Sequence, residues 1–183
     1  MRRVSWPRAL PWIALLLVAG VVLGNVPLPS WLGGGGDPQL RPGGVADGRV
    51  ERVIDGDTLV VRLGDRSERV RYIGVDTPET VKPNTPVQCF GPAAHDLNAQ
   101  VLGGAGGALR LRFDRELRDR YGRLLAYVYR ARDGLFVNAQ LVRAGAARTL
   151  RIAPNTSHAV DLAALQSSAR AARRGLWGAC GGT

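Results

Sequence analysis

The sequence predicts an α+β domain: a five-stranded β-barrel flanked by three α-helices and preceded by an apolar leader. Three observations carry this. Short alternating stretches separated by Asp-Gly and Gly-Asp turns fill the first part of the domain. A helical stretch opened by Gly91-Pro92 interrupts them after the third strand. Two more helical stretches, closed by Gly145 and Gly175, follow the fifth.

A chain of 183 residues has room for one domain of ordinary size plus an extension at an end. Arg2, Arg3 and Arg8 precede the apolar run Trp12 to Gly24, the layout of an export signal. That run is shorter than the ~20 residues of a comfortable spanning helix, but Ala9 to Leu32, with its prolines, could stretch to an anchor, and Trp6, Trp12 and Trp31 flank or enter the run as interfacial aromatics would. Residues 1–32 are therefore read as a signal peptide or a membrane anchor. Val22-Leu23-Gly24 suits a signal peptidase poorly, which tips the reading towards the anchor. Either way the remainder is expected outside the cytoplasm, secreted or N-terminally membrane-anchored. Residues 33–44, GGGGDPQLRPGG, have no apolar period and read as a tether, and the folded domain is expected over 45–183.

The elements follow in order. Gly48 to Ile54 and Thr58 to Leu63 flank an Asp55-Gly56 turn and make a first hairpin. Glu68 to Ile73 is the third strand, with Val70 and Tyr72 on one face and Arg69, Arg71 and Ile73 on the other. Thr80 to Phe90 contains two prolines and no period, so it is a loop beside the carboxylates that precede it. The first helix places Ala94, Leu97 and Val101 on one face and stops at Gly103-Gly104. Ala108 to Asp114 alternates strictly, with Arg110, Arg112 and Asp114 on the polar face, and Leu124 to Arg130 is the fifth strand. Phe136 to Ala144 and Ser157 to Arg174 are the remaining helices, and Leu176 and Trp177 are expected to fold back as a plug. This element order is that of an OB-type barrel, a fold that commonly binds oligonucleotides.

Charge and cysteines narrow the classes. Arg2, Arg3, Arg8 and Arg41 against Asp37 account for three of the net +10, leaving +7 on the domain. Such an excess favours a polyanionic partner, nucleic acid or anionic lipid. Cys89 and Cys180 are the only cysteines. In an exported chain they can pair, with a stabilisation of ~4 to 5 kcal/mol in the chain-entropy picture, the alternative being two buried free thiols. With no Cys-x-x-Cys or Cys/His cluster, a zinc site is not expected. His95 and His158 lack partners at informative spacing and are assigned to the surface or to caps.

The candidate chemistry sits in three segments: Asp55-Gly56-Asp57-Thr58, Asp76-Thr77-Pro78-Glu79 with Arg71 five residues upstream, and Tyr121-Gly122-Arg123. Hard cations such as Ca²⁺ take carboxylate and carbonyl oxygens, which Asp57, Asp76 and the Thr77 carbonyl can supply. Glu79 could accept a proton from an attacking water, and Arg71 and Arg123 could clamp a phosphate. Each segment has a plainer reading. An Asp-Gly pair is usually a hairpin tip. Asp76 and Glu79 have the spacing of a capping box, although Thr80-Val81-Lys82-Pro83 offers no helix to cap. Tyr121-Gly122-Arg123 alone is a turn into a strand.

Together, and in this order, the three segments resemble the staphylococcal nuclease (thermonuclease) family of Ca²⁺-dependent phosphodiesterases. The likeness runs from about Val45 to Trp177 and includes Cys89-Phe90-Gly91-Pro92 and Gly175-Leu176-Trp177. It implies metal ligation by Asp57, Asp76 and Thr77, catalytic roles for Arg71, Glu79 and Arg123, and a supporting acid at Asp55. Arg120 and Tyr121 match positions that contact a terminal phosphate. The implied activity is endonucleolytic hydrolysis of single-stranded DNA and RNA with little sequence preference, leaving 3′-phosphates. The sequence departs from the pattern before Pro154-Asn155, where well-known members carry two tyrosines and this chain has Leu150 and Ile152. Tyr72 and Phe90 are alternative stacking residues, with core burial the competing fate. The rival reading is a non-catalytic nucleic-acid-binding barrel tethered at the cell surface. Nothing in the sequence requires more than a monomer.

Overall fold

A computed structural model describes residues 40–80, 86–104 and 106–181. The leader over 1–32, the tether as far as residue 39 and the middle of the Thr80 to Phe90 loop lie outside the described residues. Among the described residues no helix is long and apolar enough to cross a membrane.

Five strands close a barrel in the order β1-β2-β3-β6-β5: β1 is Val45–Val53, β2 Thr58–Leu63, β3 Arg66–Tyr72, β5 Ala108–Arg112 and β6 Leu124–Arg130. Two short strands, β4 (Val75–Asp76) and β7 (Arg148–Thr149), pair beside it. The helices are α1 (Gly91–Leu102), α2 (Val137–Arg143), α3 (Ala159–Ala171) and a single turn, α4 (Leu176–Ala179). The architecture is thus the closed five-stranded α+β barrel of the OB type, with one short helix more than the three expected.

The inward positions of the strands fill the barrel. Val50, Leu59, Val61, Val70, Tyr72, Leu109, Leu111, Leu124 and Val128 are all buried in one cluster. Ala94, Val101 and Leu102 of α1, Leu141 and Val142 of α2 and Leu162 of α3 pack onto the same cluster. Burial at this density supplies the main driving force for the fold, about 1.5 to 3 kcal/mol per large aliphatic side chain.

The strand and helix bounds differ from the sequence reading where long-range contacts decide them. β1 starts at Val45 because Val45 to Arg49 pair with Arg112 to Ala108 of β5, a partner far away in sequence. β5 ends at Arg112, and Asp114 does not take the solvent-facing position assigned to it. It is buried and accepts bonds from the Ser157 hydroxyl (2.9 Å) and amide (3.1 Å) and from the Tyr127 hydroxyl (3.1 Å). α3 is shorter than expected at both ends and does not reach Arg173, whose φ is +50°. Leu176 and Trp177 are buried beside Ala169, as a plug should be, with Arg170 and Arg148 within 4.8 and 5.4 Å of the indole ring centroid.

Two pairings position the site. β3 runs parallel to β6, with Arg71 opposite Leu125. Because side chains alternate along a strand, Arg123, two residues before Leu125, is directed to the same side as Arg71. The β1–β2 hairpin tip is pressed against the Asp76-Thr77 turn. A Cβ added at Gly56 would meet the Thr77 side chain at 2.7 Å, so only glycine allows that approach.

Candidate active site

The hairpin tip is organised by its own acids. The Asp57 amide donates to Asp55 Oδ1 (3.0 Å), an Asx turn that tilts the Asp57 side chain inward. Tyr72 donates its hydroxyl to Asn98 (3.0 Å), and the Asn98 amide donates to the Asp55 carbonyl (3.1 Å), so α1 braces the tip from behind. This fixes the fate of Tyr72. At 1% exposure it belongs to the core and cannot stack on a base. Phe90 is likewise packed against the core clusters.

Asp57 is the hub. Its Oδ2 accepts from the Thr77 amide (2.7 Å) and the Thr77 hydroxyl (3.1 Å), and its Oδ1 accepts from the Thr58 hydroxyl (3.2 Å) and lies 3.2 Å from Arg71 Nε. Burial pushes its pKa up to about 6, with Arg71 opposing and Asp55 adding to the rise. Asp76, more exposed, binds Arg71 Nη2 through Oδ1 at 2.8 Å. Its pKa is also raised, first by burial, then by Asp57 and Glu79 against the pull of Arg71. Asp76 lies in β4, opposite Arg148 of β7, and no helix begins there, so the capping-box alternative does not apply.

Arg71 is committed on every nitrogen. Nη1 donates to the carbonyls of Tyr72 (2.8 Å) and Val75 (2.6 Å), and Nε and Nη2 face Asp57 and Asp76. To clamp a phosphate it must exchange the Asp76 contact for the new anion. Arg123 differs. Asp119 takes its Nε (2.7 Å) and also accepts from the amides of Tyr121 (2.9 Å) and Arg123 (3.0 Å). The terminal Nη atoms make no hydrogen bond or ion pair among the described residues, so the fork is oriented but open.

Arg71, Arg120, Tyr121 and Arg123 line one cavity of about 430 Å³ with Leu150 and Ile152. Tyr121 is 67% exposed. Its hydroxyl accepts from Arg120 Nη2 (2.6 Å), and the guanidinium carbons of Arg120 and Arg123 sit 4.8 and 5.4 Å from its ring centroid. Leu150 and Ile152 are 38% and 59% exposed, unburied aliphatics on a wall of this cavity. Glu79 stands on the acid side, where its charge raises Asp76. The fold therefore gathers Asp55, Asp57, Asp76, Thr77 and Arg71 into one bonded cluster, and places Arg120, Tyr121 and Arg123 around the cavity that Arg71 joins to it.

Asp119, which orients Arg123, is a residue of this site that the sequence pattern did not single out. Its signal was present, because an Asp two residues before Tyr121 and four before Arg123 is an Asx turn whose second oxygen can reach the arginine. Asn98 carried no such signal. Its use depends on α1 packing behind the hairpin tip, which no local pattern announces. His95 bonds its neighbour Asp96 (3.1 Å), and His158 packs on Tyr127 and Phe136 at the start of α3 without capping it.

The donor set suits a hard cation. Asp57 and Asp76 share Arg71 between them, and the pKa of Asp76 is raised first by burial and then by the charges of Asp57 and Glu79. Among the described residues no three acidic, His or Cys side chains converge on a point. A bound ion would thus take two carboxylates here, with carbonyl and water oxygens completing its shell.

Cys89 and Cys180 form a disulfide across 91 residues of sequence. Residues 69–179 match the staphylococcal nuclease homologue family. The thermonuclease of Staphylococcus intermedius is 44% identical over 128 residues, covering 70% of this chain and 74% of the relative. That of Staphylococcus hyicus is 40% identical over 129 residues, with the same two coverages. Endonuclease YncB of Bacillus subtilis is 40% identical over 134 residues, 72% of this chain and 62% of the relative. Barrel, acid cluster, arginine-lined cavity and sequence agree: the chain belongs to the staphylococcal nuclease homologue family.

Proposed function

We propose that this nuclease is a Ca²⁺-dependent endonuclease that hydrolyses single-stranded DNA and RNA with little sequence preference and leaves 3′-phosphates. The observation that carries the reading is the Asp57–Arg71–Asp76 cluster opening onto a cavity whose other cations are Arg123 and Arg120. Ca²⁺ held by Asp57, Asp76 and the Thr77 carbonyl would neutralise phosphate charge and polarise the phosphorus centre.

The protein's own groups account for the rest. Glu79 takes a proton from the water whose oxygen bonds to phosphorus, the P–O5′ bond breaks, and the 5′ oxygen leaves with a proton from solvent water, to which Glu79 then returns its own. Arg123, oriented through Nε by Asp119, presents its fork to the equatorial oxygens as their charge grows. Arg71 joins it by giving up Asp76. Tyr121 and Arg120 hold the terminal phosphate side of the nucleotide. Leu150 and Ile152 give the base an apolar wall without a hydrogen-bonding edge, which supports weak base preference.

The chain is proposed to act outside the cytoplasm, secreted or tethered by residues 1–32 through the segment 33–44. The basic, apolar leader and the Cys89–Cys180 disulfide support this placement.

The decisive experiment is hydrolysis of single-stranded DNA with Ca²⁺ or chelator, beside Asp76→Ala. Cleavage that needs both Ca²⁺ and Asp76 is the expected result. Binding without cleavage in any divalent cation would make the chain a nucleic-acid-binding barrel instead.

A further inference from the structure

The backbone of Glu79 is held at both ends by one residue. The Glu79 amide donates to Gln88 Oε1 at 2.9 Å, and the Gln88 amide donates to the Glu79 carbonyl at 2.9 Å. The start of α1 closes over the same peptide. A Cβ added at Gly91 would come within 2.7 Å of the Thr80 side chain and 3.0 Å of the Glu79 carbonyl oxygen, and the Gly91 amide donates back to the Gln88 carbonyl (3.0 Å). The Glu79 carboxylate in turn accepts from the Thr80 amide (3.0 Å).

What holds Gln88 is the next residue. Cys89 is joined to Cys180, whose amide donates to the Leu176 carbonyl (3.0 Å) of α4. Leu176 and Trp177 are buried against Ala169, with Phe90 and Cys180 packed on them. Asp76, Thr77, Gln88 and both half-cystines line one small cavity of about 330 Å³, so the disulfide lies beside the acidic turn itself. A covalent line therefore runs from the C-terminal plug to the residue that grips Glu79.

We propose that Gln88 is a positioning residue for Glu79 and that the Cys89–Cys180 disulfide keeps Gln88 in register with it. This rests on the reading of Glu79 as proton acceptor. Proton transfer in the transition state is sensitive to the placement of the accepting carboxylate, and misplacement by about 1 Å can cost on the order of 10²-fold. Both hydrogen bonds between Gln88 and the acidic turn end on Glu79, so an effect transmitted through them vanishes when Glu79 cannot act.

The test is a double-mutant cycle on the full chain, with Gln88→Met, Glu79→Gln and the pair, assayed on single-stranded DNA with Ca²⁺. Gln88→Met keeps side-chain length but removes the acceptor. It should lower kcat roughly 10- to 100-fold with KM, Ca²⁺ affinity and melting temperature little changed. It should cost nothing further in the Glu79→Gln background, and Gln88→Glu, which keeps an acceptor, should restore most of the rate. Equal losses in both backgrounds would overturn the proposal, as would normal turnover of Gln88→Met beside a crippled Glu79→Gln. Wild-type turnover of Glu79→Gln would sink the reading of Glu79 as base, and the positioning role with it. A readout independent of activity is amide hydrogen exchange at Glu79, which Gln88→Met should accelerate.

The disulfide is tested by Cys89→Ala/Cys180→Ala, or by thiol reduction of the wild-type chain if that pair does not fold. Exchange at the Glu79 and Gln88 amides should rise and kcat should fall at temperatures well below melting. Unchanged exchange and unchanged kcat would show that the disulfide acts on stability alone.

Discussion

The two halves of the site are built on opposite plans. On the acid side, Asp57, Arg71, Asp76 and Thr77 are cross-bonded until the Asp57 carboxylate has four contacts and every nitrogen of Arg71 is engaged. On the cavity side, Tyr121, Leu150 and Ile152 are exposed and Arg123 offers an open fork. The contrast follows from what each half must do. Charge that develops on a phosphate is stabilised by groups fixed before the reaction, so the exchange of Asp76 for the anion at Arg71 belongs to substrate binding and not to the chemical step. A wall that meets any of several bases gains from having little to satisfy.

If this division is correct, the largest effects belong to the oriented groups. Arg123→Lys should lower kcat by about 10² to 10³, because an ammonium cannot accept the Asp119 alignment through Nε and still present two parallel donors. Ca²⁺ affinity, set on the other side of Arg71, should not change. Calorimetric titration with Ca²⁺ alongside kcat separates the two, and a variant with near-normal turnover would reduce Arg123 to a point charge.

The next effect concerns protons at the hub. Burial raises the Asp57 pKa to about 6, so the folded, metal-free domain holds that proton to higher pH than the unfolded chain would. The sign follows. This group favours the metal-free fold most at low pH, and that contribution is lost as pH rises through about 6. A cation competes with the proton for the same oxygens, so apparent Ca²⁺ affinity should be full above about pH 6 and fall about tenfold per unit below it. The metal-induced rise in melting temperature should shrink over the same window. Affinity that is flat from pH 5 to pH 8 would mean that Asp57 is not a ligand.

The same two halves explain what could be read from the sequence. β2, α1 and β6 were legible almost to the residue, since turns, a Pro-opened start and a Gly stop punctuate them locally. The acid side was legible as well, because its residues lie within two short segments whose turn chemistry is local. The closure of the barrel was less so. That β3 pairs parallel with β6, and that β1 extends to Val45 against β5, are long-range choices without a local signature. The same holds for Tyr72, which the strand pattern left open between core and base stacking until Asn98 appeared behind it. Asp114 was misplaced for a related reason. Alternation assigned it to solvent, whereas the backbone leaves the ladder at Arg112 and turns the carboxylate towards Ser157 and Tyr127.

The smallest effect should fall on the cavity wall, and it is the sharpest test of the division. Leu150 and Ile152 contribute apolar surface but neither an aromatic face nor a hydroxyl. Base stacking on an aromatic ring is worth about 1 to 3 kcal/mol by alanine substitution, and an aliphatic side chain already supplies part of that contact. Leu150→Tyr should therefore tighten binding of a mononucleotide by only about five-fold and lower KM in proportion. Because the aliphatic side chain of Leu150 takes no part in the hydrogen bonds and ion pairs that fix the acid cluster, kcat should stay within about two-fold of wild type, the mark of binding shared equally by ground and transition states. A variant that gains affinity while losing turnover would show the two halves to be coupled, since a better-held base would then be pulling the phosphate out of line with Arg123. Only a change in KM alone is consistent with a reaction centre fixed by its own hydrogen bonds beside a wall that merely holds the base.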